Sequence, residues 1–168
     1  NAVQDEARMR TCLAYEVFTM AGYPAPRTNL ANVTINGQHL GPYVHVEAMK
    51  KSFLEREFGD KTGSFYEGTA TDFIEAWLPR WEIETSDTDE EFLPLLGVAR
   101  ALQVPDDELI DALEPVFNID RFMTYWALEA LIAHIDGYSS TRNNFYVYFD
   151  PTDNDRAVFL PWGADQVF

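Results

Sequence analysis

Apolar residues recur along the chain at helical spacings in some stretches and at every second position in others, and the changes of rhythm divide it into elements. Over residues 5–20 the positions Met9, Cys12, Leu13, Glu16, Val17 and Met20 follow a helical spacing, and Gly22 supplies the stop. Pro24 and Pro26 stiffen an extended connector. Val33 and Ile35 flank Thr34 at the start of a strand, Asn36 and Gly37 are a strong hairpin turn, and residues 43–47 return as the partner. Residues 49–58 read as a short amphipathic helix with Phe53, Leu54 and Phe58 on one side, closed by Gly59. A short strand at 64–67 precedes a long connector over 69–88, which holds one more strand near 81–84. The acidic run 87–91 is the first turn of a helix, where the backbone dipole favours negative charge, and Phe92, Leu95, Leu96, Ala99 and Leu102 continue it. Pro105, Asp106, Asp107 and Glu108 open a further helix, in which Leu109, Leu113 and Phe117 are spaced to face the core.

The densest pattern lies in the last third. Asn118 stands as N-cap before a helix in which Ile119, Phe122, Met123, Trp126, Ala127, Ala130 and Leu131 recur at helical spacing. After His134 the apolar rhythm stops, and Gly137, Ser139, Ser140, Asn143 and Asn144 form a polar loop. A strand follows with Phe145, Val147 and Phe149 on one face and Tyr146 and Tyr148 on the other, then the turn DPTDND, then its partner at 157–160. Such a hairpin brings the start of its first strand close to the end of its second, so Asp136, Asn144 and Asp165 converge. An acid, an amide and a second acid, all offering oxygen, suit a hard cation such as Mg2+, which takes one or two carboxylates and otherwise phosphates and water. The plainer reading has Asp136 and Asn144 turning the loop and Asp165 on the surface.

Composition narrows the chemistry. At 168 residues, 46% hydrophobic and 14% aromatic, the chain can bury a real core as one domain. Twelve basic against 28 acidic residues give a formal charge of −16, which repels nucleic acid and anionic membranes, so an anionic substrate needs a metal escort. No apolar run approaches transmembrane length, and the opening NAVQDEARMR is polar where a signal peptide needs an apolar core. The single cysteine, Cys12, excludes an internal disulfide framework and a cysteine-based zinc site, and it is expected to pack with Leu13, Val17 and Phe18.

The strings HIDGYSSTRNNFYVYFDP and FLPWGADQVF resemble the paired signature of the spore coat protein H (CotH) kinase family, in which a DGY…NNYYLY-like segment precedes a PWD-x-D-like or PWG-x-D-like one. Upstream, CLAYEVFTMAGYPAPRTNLANVTINGQHLGPYVHVEAMKKSFLEREFG is similar to the family's layout of helix, NG hairpin, strand-ending Glu and FL…FG helix. The resemblance covers nearly the whole chain. It implies a kinase-like two-lobed α+β fold in part: a small hairpin-containing lobe over 1–84, and a mainly helical lobe over 85–168 with a β-hairpin at the site. Because the family usually has sequence on either side, both ends look cut. It also implies transfer of the γ-phosphate of ATP, assisted by Mg2+ or Mn2+, to Ser or Thr of a secreted, surface or coat protein, at the cell or spore surface.

By the same resemblance Asp136 is the catalytic base or orienter, and Asn144 and Asp165 ligate the metal, although the literal HRD and DFG strings of protein kinases are absent. Glu47 has two readings, a strand-end carboxylate paired with Arg27 or a group that orients the nucleotide lobe. Where many family members end a strand in Lys, this chain has Glu67, which reverses the local field at the nucleotide. Arg142, in the same loop as Asp136, is then the expected phosphate-binding cation, with Lys50 and Lys51 solvated. Gly163 stands where family members often carry a further Asp. His134 is read as capping carbonyls at the helix end, and residues 150–155 as a solvated turn in place of a calcium loop. The competing classes are a non-catalytic binding or coat-assembly module that keeps the fold, and a metal-dependent hydrolase using the same acids.

Overall fold

The computed structural model describes residue 5, residues 7–85 and residues 91–168, so most of the acidic run expected to open a helix lies outside the described residues. In chain order the elements are α1 (Arg10–Met20), β1 (Thr28–Ile35), β2 (Gln38–Val46), α2 (Lys51–Phe58), β3 (Phe65–Gly68), β4 (Glu82–Thr85), α3 (Leu93–Ala101), α4 (Leu109–Leu113), α5 (Ile119–Leu131), α6 (Tyr138–Thr141), β5 (Phe145–Asp150) and β6 (Arg156–Pro161). A 3-10 turn over Glu75–Arg80 breaks the long connector before β4. The fold is α+β.

Its centre is a four-stranded antiparallel sheet of order β4-β3-β5-β6, which draws strands from both sides of residue 84. All six residues of β5 are buried because side chains on both faces find a core. Phe145, Val147 and Phe149 point into the main core with Tyr66, Phe117, Tyr125 and Phe159. Tyr146 and Tyr148 point the other way, into a smaller core with Met49, Phe53, Leu54, Phe65 and Leu160. Burying each such large apolar side chain is worth about 1.5–3 kcal/mol, so the strand is gripped from two sides. The turn between β5 and β6 is locally set: Asp150 Oδ1 accepts Thr152 N at 3.0 Å and Thr152 Oγ1 at 2.7 Å, and Asn154 and Asp155 adopt positive φ. The outer edge of β6 is covered, since Asn118 N donates to Ala157 O, Ala157 N to Val116 O, and the Tyr23 hydroxyl to Phe159 O.

The β1–β2 hairpin forms a separate two-stranded sheet, turned at Asn36 and Gly37, whose φ angles of 51° and 80° suit the type I′ turn expected of this dipeptide. α2 ends as read, with Gly59 in the left-handed region at φ 72°.

Two helices bury only part of the face their apolar count predicts: Val17, Ile119 and Phe122 pack against the core, but other expected positions do not. In α1 the buried residues are Thr11, Ala14, Tyr15 and Phe18, while Met9, Leu13 and Met20 are exposed and Cys12 is half-buried. In α5 the buried residues are Tyr125, Leu128 and Glu129, while Met123, Trp126 and Leu131 are exposed. Aromatic partners decide this: the Phe18 ring lies 6.1 Å from Tyr125, and Tyr125 lies 5.4 Å from Phe159 of β6. Tyr125, absent from the apolar positions named for α5, carries the contact between these helices and the sheet. Among the described residues no helix is long and apolar enough to cross a membrane.

Candidate active site

The site is assembled where α5 ends. Asn118 caps the helix start, its Oδ1 accepting Arg121 N at 3.0 Å and its Nδ2 donating to Asp153 at 2.6 Å. At the other end Ala133 takes a left-handed φ of 52°, His134 N bonds Glu129 O, and Ala133 N bonds Ala130 O. This is the Schellman pattern, closed by an alanine in place of the usual glycine. It turns the chain sharply into the polar loop. The His134 ring does not cap carbonyls as expected; it is buried, and its Nδ1 lies 3.2 Å from Glu129 Oε1 without hydrogen-bond alignment.

Within the loop, donors converge on Asp136. Thr141 Oγ1 and Asn143 Nδ2 reach its Oδ1 at 3.3 and 3.2 Å. Asn144 Nδ2 donates to Asp136 Oδ2 at 2.8 Å and to its carbonyl at 2.9 Å. Asn144 sits at φ 52°, a conformation Asn tolerates, and its backbone carbonyl accepts Trp162 N from the strand-end loop. Because only the amide nitrogen can donate to Asp136, the Asn144 oxygen is turned toward Gly163. A Cβ at Gly163 would lie 2.6 Å from that oxygen. The loop at 163–165 thus passes directly over Asn144, tightened by Asp165 N donating to Gly163 O.

Asp165 lines a cavity of about 220 Å³ with Thr11, Tyr15, Val44, Val46, Trp162, Gly163 and Ala164. Its carboxylate makes no hydrogen bond or ion pair among the described residues. Tyr15 supports the loop from α1: burial pushes its hydroxyl pKa well up, opposed by the backbone of Ala164 and Gly163. The Asp165 carboxylate and the Asn144 amide oxygen are both hard oxygen donors, and the close approach at Gly163 aims the amide oxygen at the Asp165 loop. These residues fit a magnesium-type ion.

The other expected site residues are each engaged by partners outside the Asp136–Asn144 pair. Glu47 is held by Arg27, through Nε at 3.2 Å and the terminal nitrogen at 2.7 Å, and by Arg56 at 2.5 Å. Burial alone would raise its carboxyl, but hydrogen bonds from Arg27 and Arg56 outweigh it and bring the pKa down to about 2. Glu67 accepts the Tyr146 hydroxyl at 2.8 Å and lies beside Glu82 and Glu84, with oxygens within 4.8 Å of one another. Lys50 is exposed, as expected, and also bridges to Glu84 at 2.6 Å. Arg142 pairs with Asp72 at 2.9 Å, and Asp72 also accepts the Tyr138 hydroxyl at 3.0 Å. Tyr146 links this neighbourhood to the site through its ring, 5.6 Å from Trp162.

Two residues absent from the sequence reading stand under the loop, Tyr125 and Glu129. Their i, i+4 spacing one turn before the His134–Asp136 corner was the available signal. The family model for the CotH kinase protein matches residues 1–168. The chain belongs to the CotH kinase family. Two relatives from Rhizopus delemar, named Invasin CotH2 and Invasin CotH3, are 26% and 25% identical over 98% of this chain. The Inner spore coat protein H-like protein of Bacillus subtilis is 27% identical over 96% of it. The chain spans 30% of the length of the two invasins and 45% of the bacterial coat protein.

Proposed function

We propose that this CotH domain binds ATP with Mg2+ or Mn2+ and transfers its γ-phosphoryl group to a Ser or Thr hydroxyl of a secreted, surface or coat protein. The observation that carries the reading is the Asp136–Asn144 pair packed against the Gly163–Asp165 loop. Asp136 is the base: its carboxylate accepts the acceptor hydroxyl's proton as the oxygen bonds to the γ-phosphorus and the bond to the β-phosphate oxygen breaks, releasing ADP. Thr141, Asn143 and Asn144 fix that carboxylate in one orientation, which limits the entropy lost on reaching the transition state. Asn144 and Asp165 would hold the divalent ion, which supplies charge neutralisation at the phosphate oxygens. The names of the relatives, spore coat proteins and invasins, support an acceptor at a coat or surface.

Calorimetry on wild type and Asp165→Asn tests the metal assignment. The variant should keep its melting temperature and lose at least about tenfold in Mg2+-dependent nucleotide affinity, equal to about 1.4 kcal/mol. Unchanged affinity contradicts the assignment. A second reading, a nucleotide-binding module without transfer, is favoured by one observation: Glu67 is held by a tyrosine hydroxyl beside two further carboxylates, and Arg142 is spent on Asp72. Nucleotide binding by the wild type with no labelled acceptor would establish that reading.

A further inference from the structure

Glu129 is fully buried in α5, one of the few buried charged groups among the described residues. Its Oε1 accepts the Tyr125 hydroxyl at 2.6 Å and Tyr138 N at 3.2 Å, and its Oε2 accepts Ser139 N at 2.8 Å. A buried carboxylate costs several kcal/mol of desolvation unless its oxygens are satisfied, and here the compensating donors come largely from the loop. Burial pushes the carboxyl up, but His134, Tyr125 and Ser139 together hold it below the ordinary value. The loop backbone presses directly on it: a Cβ at Gly137 would lie 2.4 Å from Glu129 Oε1 and 2.5 Å from His134 Nδ1. Gly137 follows Asp136 immediately. Thr141, whose hydroxyl reaches Asp136, bonds back to Gly137 O through its own amide and hydroxyl.

We infer that Glu129 is a positioning residue of the site: its carboxylate clamps the amides of Tyr138 and Ser139 to the rigid helix and so fixes the Asp136–Asn144 pair. The inference rests on the phosphotransfer reading for its catalytic consequence, while the clamp itself is measurable without turnover. The carboxylate touches no reacting atom. It acts through the loop, with Tyr125 holding it from the core side.

The test compares wild type, Glu129→Gln and Tyr125→Phe, with two readouts. The first is hydrogen exchange, by nuclear magnetic resonance, of the Tyr138 and Ser139 amides and of the Asn144 side-chain amide. The second is the steady-state kinetics of phosphoryl transfer from Mg2+–ATP. Glu129→Gln should speed exchange at all three positions at least about tenfold. It should lower kcat by up to about 100-fold, as expected for a misplaced catalytic group, and leave KM for ATP within about twofold. Tyr125→Phe, which removes one donor to the same carboxylate, should move both readouts in the same direction by a smaller factor. Protected amides in a folded Glu129→Gln protein, or faster exchange with unchanged kcat, overturn the inference. If Glu129→Gln does not fold, Tyr125→Phe decides, and wild-type exchange in that variant overturns the clamp. If wild type transfers no phosphate, the kinase reading fails, and the exchange data alone decide whether Glu129 holds the Asp136 loop.

Discussion

Gly163 shows how much the site depends on single atoms. It combines a positive φ of 55° with so close an approach that a Cβ there would lie 2.6 Å from Asn144 Oδ1. Gly163→Ala should therefore cost about 1–3 kcal/mol, from left-handed strain and overpacking, and displace Asn144. Denaturant unfolding measures the stability term, and Mg2+-dependent nucleotide binding should weaken in parallel. Glu47 offers a pH test. Its folded pKa, about 2, lies below the ordinary 4.5, so its charged form stabilises the fold above about pH 4.5 and that contribution is lost as pH falls toward 2. Glu47→Gln should flatten the stability curve in this window, where urea midpoints measured pH by pH would show a wild-type decline that the variant lacks. The Glu47–Arg27 pair was legible because strand ends and opposite charges meet across a hairpin. The second partner, Arg56, was not, because it comes from α2, whose placement depends on tertiary packing.

At the scale of elements, turns and caps were the legible features. The NG hairpin, the Asn118 cap, the Gly59 stop and the β5–β6 pair all follow from local chemistry. The buried faces of α1 and α5 were only partly legible, because an apolar count also selects exposed Met and Leu positions, whereas the most buried contacts run through Tyr15, Phe18 and Tyr125. Glu129 escaped notice for the same reason, since its buried state is created by loop amides nine and ten residues away in sequence. Phe159 is where these elements meet, with ring contacts to Phe73, Phe117, Phe122, Tyr125, Tyr138 and Phe145. Phe159→Ala should cost about 3–5 kcal/mol by leaving a cavity between sheet and helices, as read from equilibrium unfolding. A loss below about 1 kcal/mol would contradict this packing account.

For the whole molecule, two features set behaviour in solution. The formal charge of −16 makes association with basic partners sensitive to salt. Burial raises the pKa of Tyr15, Tyr23, Tyr125 and Tyr138, so these hydroxyls are neutral in the folded state well past pH 10. Their stabilising contribution is complete below the unfolded value near pH 10 and is lost as pH rises above it. Alkaline titration should show their tyrosinate absorbance rising together with loss of tertiary circular dichroism. Ionisation of these tyrosines near pH 10 with the fold intact would contradict their burial.

The central claim is that Asp136, Asn144 and Asp165 form one phosphotransfer site with Asp136 as base. The most direct measurement is transfer of label from γ-labelled ATP, with Mg2+ or Mn2+, by wild type and Asp136→Ala, alongside nucleotide affinity in both. The account predicts labelling of protein Ser or Thr by wild type, its loss in the variant, and nucleotide affinity within about twofold, because the base acts on the transition state more than on ground-state binding. Labelling that persists undiminished in Asp136→Ala would contradict it.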